Sequence, residues 1–190
     1  MLNIAVLVSG TGSLLEAMIL DKLNITLVIA DRSCRGLEIA HSAGIETKLL
    51  KRKDFSTRFD YMAYTNDLAY EMSRRRIHLV AMAGFMTILS PIIFNKGYRD
   101  RILNIHPALL PAFKGHHAVR DALNFGVKLT GSTVHIATEE LDAGKILAQE
   151  GVPVLPSDTE ATLHERIKIV ERVLYPRAIR AYEKELSTCR

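Results

Sequence analysis

The sequence predicts an α/β protein with a mostly parallel central sheet, helices on both faces and an antiparallel portion in the second half. In the first half, short apolar runs alternate with longer stretches whose apolar residues recur at helical spacing, as in strands joined by crossover helices. In the second half, two apolar runs flank one polar loop, which is typical of a hairpin.

The first strand is the apolar run Ile4–Val8, which ends in the glycine-rich segment Ser9–Ser13. Ser13 is placed to cap a helix that extends to about Asp21. The alternation then continues as far as Met82. We expect strands at Ile25–Ala30, Thr47–Leu50 and Leu79–Met82, and helices at Gly36–Ala43 and Phe59–Arg76.

The second half begins with a strand and a proline-punctuated loop, Ile102–His106 and Pro107–Gly115. A helix at Val119–Phe125 and strands at Leu129–Ala137 and Ile146–Val154 follow. From Thr159, apolar residues lie on one stripe of a long helix, and Pro176 should kink or restart it. Because no repeat or linker is visible, we expect one domain over residues 1–190.

The composition favours a cytoplasmic globular protein. The chain has 190 residues and is 48% hydrophobic, enough for a substantial core. Its two cysteines, Cys34 and Cys189, are far apart, which suits a reducing compartment. The first residues do not resemble a secretory signal, and Ser90-Pro91 interrupts the most apolar span.

The charge distribution does not suggest a nucleic-acid binder. The net charge is +4, from 25 basic and 21 acidic residues, and the basic clusters 51–53 and 74–76 are expected to be solvated. Phosphate tracking needs a sustained basic stripe with interleaved aromatic residues. A mild positive balance still suits small anionic substrates.

The turn after the first strand is suited to an anion. Gly10, Thr11, Gly12 and Ser13 offer backbone N–H groups at a helix N-terminus. Leu15 stands where a dinucleotide fingerprint needs glycine, so one terminal phosphate fits better. Two alternatives stay open: a turn that only permits close packing, and a dinucleotide site that uses Asp31, roughly 20 residues further on, for the ribose.

Asn104-Ile105-His106-Pro107 places an amide and an imidazole on the same face at the end of a strand. These side chains could together hold a carbonyl oxygen that becomes an oxyanion. Asp142, in the polar loop of the hairpin, could reach the same edge and relay a proton through water. A hydrogen-bonded core histidine is the structural alternative.

Other chemistries remain possible at this point. With His117 and His135 nearby in the sequence, a zinc hydrolase is conceivable, although no His-x-x-x-His or Cys-x-x-Cys spacing occurs. A Ser-His-Asp hydrolase is disfavoured because the Gly-x-Ser-x-Gly elbow is missing. A nucleotide-binding module without catalysis is a further hypothesis.

Nearly the whole chain resembles the phosphoribosylglycinamide formyltransferase family. The resemblance is carried by ordered motifs: VSGTGS at 8–13, AGFMTILS at 83–90, LNIHPALLP at 103–111, GSTVH at 131–135, ELDAG at 140–144 and ERVLYP at 171–176. It implies a single Rossmann-like formyltransferase domain, with a phosphate-binding half at about 1–100 and a folate-binding and catalytic half at about 101–190. It also implies formyl transfer from 10-formyltetrahydrofolate, a co-substrate, to a glycinamide ribonucleotide in purine biosynthesis, without a metal.

The resemblance also implies roles for individual residues. Asn104, His106 and Asp142 match the catalytic trio, and His135 and His117 would support it. The ribonucleotide would contact Thr11, Gly12, Ser13, Leu14 and Glu171. The folate would contact Arg58, Met86, Thr87, Ile88, Leu89, Asn104, Thr138, Glu139, Glu140, Leu141 and Asp142.

Four residues depart from the family pattern. Leu14 replaces a frequent asparagine, Thr87 a usual arginine, Lys145 a usual proline and Ala112 a frequent lysine. They bear on affinity and loop geometry rather than on the reaction. Because related families that act on tRNA or only deformylate folate carry an additional domain, the length favours a small acceptor. We expect a monomer or weak homodimer that binds neither nucleic acid nor membrane.

Overall fold

A computed structural model of the chain describes residues 1–54, 56 and 58–188. It contains seven strands in one mixed sheet, and counted along the chain they lie in the order third, second, first, fourth, fifth, sixth and seventh. This arrangement confirms the predicted fold class. The chain forms two compact units, Met1–Leu103 and Asn104–Arg190. That all 190 residues act as one domain stays a prediction.

The first unit contains four parallel strands. They are β1 (Ile4–Val8), β2 (Ile25–Ala30), β3 (Glu46–Leu49) and β4 (Leu79–Met82), with helices α1 (Ser13–Leu20), α2 (Arg35–Ser42) and α3 (Tyr61–Ser73). Strand β1 pairs with both β2 and β4, and β2 pairs with β3. Every residue of β1 is buried, as expected for a central strand of a covered parallel sheet.

The second unit contains a hairpin and two helices. Its elements are β5 (Ile102–His106, which begins at the end of the first unit), α4 (Ala118–Phe125), β6 (Leu129–Ile136), β7 (Ile146–Pro153) and α5 (Glu160–Thr188). Strands β6 and β7 pair antiparallel, as predicted. Helix α5 packs on this hairpin through a buried apolar cluster of Val119, Val152, Leu163 and Ile167.

Three local expectations were wrong. Gly12, not Ser13, is the N-cap of α1: its backbone is left-handed, with a φ of 76°, and Ser13 is already the first residue of the helix. Helix α5 does not restart at Pro176 but continues through it, with the buried residues Tyr175 and Ile179 nearby; a kink at this proline stays a prediction. Arg52 is not solvated: it is buried, with its guanidinium 4.5 Å from the ring centre of Phe59.

None of the described helices is long and apolar enough to cross a membrane. Cys34 is a free, half-buried thiol, whereas Cys189 lies outside the described residues.

Glycine is required at position 131 of strand β6, which gives a test of the fold. A Cβ on Gly131 would lie 2.1 Å from the carbonyl oxygen of Glu150, which is backbone and cannot move aside alone. Its partner across the ladder, Gly151, would place a Cβ 3.3 Å from a methyl group of Leu129. We expect Gly131→Ala to lower the free energy of unfolding by about 1–3 kcal/mol, measured by urea denaturation.

Gly151→Ala is the matched control on the opposite strand. Because the end of the Leu129 side chain can shift, we expect this change to stay within about 1 kcal/mol of the parent protein. Equal destabilisation by the two substitutions would contradict the proposed difference in packing.

Candidate active site

Strand β5 brings two polar side chains to its carboxyl end. Asn104 and His106 are separated by one residue, so both side chains point to the same face. Asn104 is half-buried, whereas His106 is buried. The predicted pair therefore exists, and the site around it can be described within the second unit.

The imidazole of His106 has acceptor groups at both nitrogens. Its Nε2 lies 2.8 Å from the carbonyl oxygen of Phe113, and its Nδ1 lies 3.4 Å from Oδ2 of Asp142. Because a carbonyl oxygen can only accept, Nε2 carries a proton and donates it. A second proton can therefore bind only at Nδ1, where the carboxylate of Asp142 stabilises the positive charge of the imidazolium.

Asp142 is a buried carboxylate with three partners. The backbone N–H of Gly115 donates to its Oδ2 at 2.9 Å, His106 faces the same oxygen, and His135 Nε2 lies 3.5 Å from Oδ1. Burial alone would raise the pKa of Asp142, but the bonds from His135 and Gly115 and the two nearby imidazoles outweigh it and lower the pKa to about 2. The carboxylate is therefore ionised at neutral pH.

His135 connects Asp142 to Asn104. Its Nδ1 donates to the carbonyl of Ile136 at 3.1 Å, and its Nε2 lies 3.3 Å from Asn104 Nδ2. The neutral ring accepts one amide hydrogen from Asn104, and a ring protonated at Nε2 donates to Asp142 instead. In the first state the second amide hydrogen of Asn104 remains available to a substrate oxygen.

The loop after β5 is held by one buried hydroxyl. Thr133 Oγ1 donates to the carbonyl of Ala108 at 2.7 Å and accepts from the backbone N–H of Leu110 at 3.0 Å. Gln149 donates to both Thr133 Oγ1 and the Leu110 carbonyl, each at 2.9 Å. This network fixes the chain that leads to Phe113 and Gly115, the two backbone partners of the site.

Glu171 is a second buried carboxyl group in this unit, on α5. Ser132 Oγ lies 3.4 Å from Glu171 Oε1 and 3.3 Å from the carbonyl oxygen of His106. Burial raises the pKa of Glu171 to about 7, although Ser132, Lys168 and Arg172 pull it down. A protonated Glu171 can donate to Ser132 while Ser132 donates to His106, whereas an ionised Glu171 competes for the serine proton.

The glycine turn belongs to the first unit. Gly12 has a left-handed backbone, and a Cβ there would lie 2.8 Å from Cα of Gly36, whose N–H donates to the Gly10 carbonyl at 3.1 Å. Close packing is therefore one reason for glycine at this position. Gly12 provides no side-chain cap for α1, and Thr11 is exposed beside the first turn of that helix. Both features leave the turn suited to an anion.

Asp31 does not present its carboxylate to a ribose. The carboxylate is fully buried, Arg32 donates to both of its oxygens at 2.9 and 3.0 Å, and Thr87 Oγ1 donates to Oδ2 at 2.7 Å. The dinucleotide alternative therefore loses its ribose ligand.

Most of the remaining predicted contacts lie on exposed surfaces. Exposed residues are Arg58, Met86, Ile88, Thr138, Glu139, Glu140 and Leu141. Thr87 is buried and turned towards Asp31, and Leu89 is half-buried, as are Ser13 and Leu14. His117 is exposed at the start of α4, and it takes no part in the described hydrogen bonds around Asp142.

Sequence reasoning missed Phe113, Gly115 and Ser132. The first two act through backbone atoms, and only the glycine ending the proline-punctuated loop hinted at a tight turn there. In the described part of the chain, no group of three or more His, Cys, Asp or Glu side chains is arranged to hold a metal ion.

Comparison with known proteins gives concordant matches. The sequence matches the family model described as "Formyl transferase" over residues 2–179. It is 44% identical to a phosphoribosylglycinamide formyltransferase of Mycobacterium tuberculosis, covering 94% of this chain and 84% of that protein. It is 42% identical to the human trifunctional purine biosynthetic protein adenosine-3, covering 93% of this chain and 18% of the human protein.

Solved structures agree with the sequence matches. Glycinamide ribonucleotide transformylase 1 from Symbiobacterium toebii superimposes with a TM-score of 0.90 at 38% identity, covering 97% of this chain and 89% of that one. Phosphoribosylglycinamide formyltransferase from Anaplasma phagocytophilum gives a TM-score of 0.88 at 39% identity, with coverage of 97% and 88%.

The raised pKa of Glu171 predicts a pH-dependent stability. Between its ordinary value of 4.5 and about 7, this carboxyl is protonated when folded and ionised when unfolded, so stability falls as pH rises through that window. We expect the unfolding free energy of the parent protein, relative to Glu171→Gln, to fall by up to about 3 kcal/mol from pH 4.5 to 7. Denaturant titrations of both proteins at several pH values measure this difference in unfolding free energy. A difference that does not change with pH would contradict the raised pKa of Glu171.

Proposed function

This chain belongs to the formyl transferase family, and we propose that it transfers a formyl group from 10-formyltetrahydrofolate to the primary amine of N1-(5-phospho-D-ribosyl)glycinamide. This reaction is a step of de novo purine (IMP) biosynthesis. The identity to phosphoribosylglycinamide formyltransferases over most of the chain supports this acceptor rather than another formyl acceptor.

One structural observation carries the chemical part of the proposal. An amide, an imidazole and an ionised carboxylate converge at the end of β5, with Asp142 in contact with His106 directly and with Asn104 through His135. Asn104 supplies a neutral hydrogen-bond donor, and His106 supplies a donor that can also carry charge. This combination suits a reaction in which a carbonyl oxygen becomes negatively charged.

The proposed bond changes balance without a further reactant. The amine nitrogen forms a bond to the formyl carbon, and the carbonyl oxygen takes the π electrons of the C=O bond. The amine loses one proton and N10 of the folate takes one. The oxyanion then re-forms the C=O bond as the bond from carbon to N10 breaks, and its electron pair stays on N10. The formylated amine and tetrahydrofolate result.

The residues have separate roles in this scheme. Asn104 Nδ2–H donates to the oxyanion, and a protonated His106 places a positive charge beside it; removing one such donor typically costs about 3–4 kcal/mol. Asp142, with a pKa of about 2, is too weak a base to hold the proton for long. It stabilises positive charge on His106 and on the attacking amine, and passes the proton through water.

The ribonucleotide is assigned to the glycine turn and to Glu171. Its phosphate is bound by Thr11, Gly12 and Ser13, and the neighbouring Leu14 offers only its backbone N–H. Glu171 is assigned to the glycinamide. The folate contacts the exposed pair Met86 and Ile88, together with Leu89 and the loop 138–142, while Arg58 interacts with its acidic tail. This assignment is supported by the exposure of Thr11, Arg58, Met86 and Ile88.

The proposal extends to the setting of the reaction. 10-Formyltetrahydrofolate is a co-substrate and no metal takes part, since amide, imidazole and carboxylate groups supply the donors and acceptors that the bond changes need. We further propose that the enzyme acts in the cytoplasm, without nucleic-acid or membrane partners, as a monomer or weak homodimer.

Turnover should depend on the acceptor. We expect tetrahydrofolate to be released from 10-formyltetrahydrofolate when the glycinamide ribonucleotide is present, and at less than about 1% of that rate without it, because the amine is the nucleophile. Absorbance of the product folate measures the rate. Equal release without acceptor would indicate a deformylase, and tight nucleotide binding with no turnover would indicate a binding module.

The catalytic trio should control kcat rather than ribonucleotide binding. We expect His106→Ala and Asp142→Asn each to lower kcat at least about 100-fold, with ribonucleotide affinity within about 3-fold of the parent value. Steady-state kinetics and calorimetry measure the two quantities.

His164→Ala and Asp121→Asn are matched controls. His164 lies on α5 and Asp121 lies on α4, and neither belongs to the site. Both should keep near-normal kcat. Near-normal turnover in His106→Ala and Asp142→Asn would remove the assigned roles.

A further inference from the structure

The carboxylate of Asp31 is the most deeply buried charge of the first unit, and the proposed chemistry does not use it. It follows β2 directly, and its exposed fraction is 0%. A charge in this position is stable only when donors surround it. The identity of those donors shows what the carboxylate holds in place.

The donors connect Asp31 to two consecutive residues beyond β4. Thr87 Oγ1 donates to Asp31 Oδ2 at 2.7 Å. Ser9, which follows β1, also bonds to the carboxylate, and because a carboxylate only accepts, the serine hydroxyl is the donor. Ser9 Oγ in turn accepts the backbone N–H of Met86 at 2.8 Å. Asp31 therefore holds Thr87 directly and Met86 through Ser9.

Arg32 completes the set of donors with two bonds to the carboxylate. Burial raises the pKa of Asp31, but the bonds from Arg32, Thr87 and Ser9 together lower it below the ordinary value. The group is thus an ionised acceptor at neutral pH, and hydrogen bonds to a charged acceptor are stronger than those between neutral groups.

These bonds fix which side chains of the segment face outwards. Thr87 has an exposed fraction of 3%, whereas Met86 and Ile88 on either side are 55% and 50% exposed. With the side chain of Thr87 bonded inwards at this bend, its two apolar neighbours are left at the surface. Two exposed apolar side chains so close in the sequence offer a surface that suits a flat ring system.

We propose that Asp31 and Thr87 are positioning residues that present Met86 and Ile88 to the ring of the formyl donor. The inference rests on the proposed function for the identity of that ligand. Neither Asp31 nor Thr87 touches the reacting atoms. Their hydrogen bond sets the affinity for the folate and leaves the chemical step and the ribonucleotide contacts unchanged.

The test removes one hydroxyl and keeps the side-chain shape. Thr87→Val deletes the donor to Asp31, and Thr87→Ser keeps it. Thr26→Val is the matched control, because Thr26 Oγ1 is buried and has no hydrogen-bond partner among the described residues. Thermal unfolding of all three variants establishes that each is folded before kinetics are measured.

We expect Thr87→Val to raise KM for 10-formyltetrahydrofolate about 10-fold, with kcat and KM for the ribonucleotide within about 2-fold of the parent values. Thr87→Ser should restore KM to within about 3-fold, and Thr26→Val should leave every constant unchanged. An unchanged KM for the folate in Thr87→Val would overturn the inference while the proposed function stands. A parallel fall of kcat in Thr87→Val would overturn the claim of a positioning role.

Hydrogen–deuterium exchange without substrates separates this inference from the proposed function. In a peptide covering residues 84–90, Thr87→Val should exchange faster than the parent protein, whereas Thr87→Ser and Thr26→Val should not. If the parent protein transfers no formyl group, the proposed function fails, and exchange alone then decides whether Asp31 orders this segment. Identical exchange in all four proteins would overturn that link.

Discussion

The buried carboxylate of Asp142 is the interaction on which the candidate site depends. Removing a charge from water is costly, and here the cost is offset by the N–H of Gly115 and the imidazoles of His106 and His135. Each of these donors is held in turn by a backbone carbonyl or by its own loop. The same carboxylate therefore faces two imidazoles, and His135 lies between it and the amide of Asn104. Without it, three polar side chains would remain with no common centre.

The surroundings of the two buried carboxyl groups of the second unit shift their pKa values in opposite directions. Asp142 is surrounded by donors, and its pKa falls to about 2. Burial outweighs the Ser132 hydroxyl and the charges of Lys168 and Arg172 at Glu171, and its pKa rises to about 7. One group is thus a permanent negative charge, and the other changes protonation near neutral pH. When the environment separates the pKa values of two carboxyl groups in this way, the two groups are usually assigned different chemical roles.

Much of the fold and of the site could be predicted from the sequence, for physical reasons. The strands are short apolar runs, and a period of two places Asn104 and His106 on one face whatever the details of the fold. The partners Phe113 and Gly115 could not be predicted, because they act through a carbonyl and an N–H that every residue possesses. Asp31 shows a different limit, since its spacing from the glycine turn fits a ribose ligand and only its burial reveals another use.

The loop that carries Asp142 shows which contacts hold the site together. Two ion pairs, Lys114–Glu140 and Lys145–Glu185, lie on the surface of this region and contribute little in water. The stronger constraints are internal: the Ile136 N–H donates to the carbonyl of Lys145 at 2.9 Å, and a Cβ on Gly144 would lie 1.7 Å from the Ile136 carbonyl oxygen. The shape of the loop therefore depends on Gly144 and on the bonds of its own backbone, together with the buried charge of Asp142, rather than on the surface ion pairs.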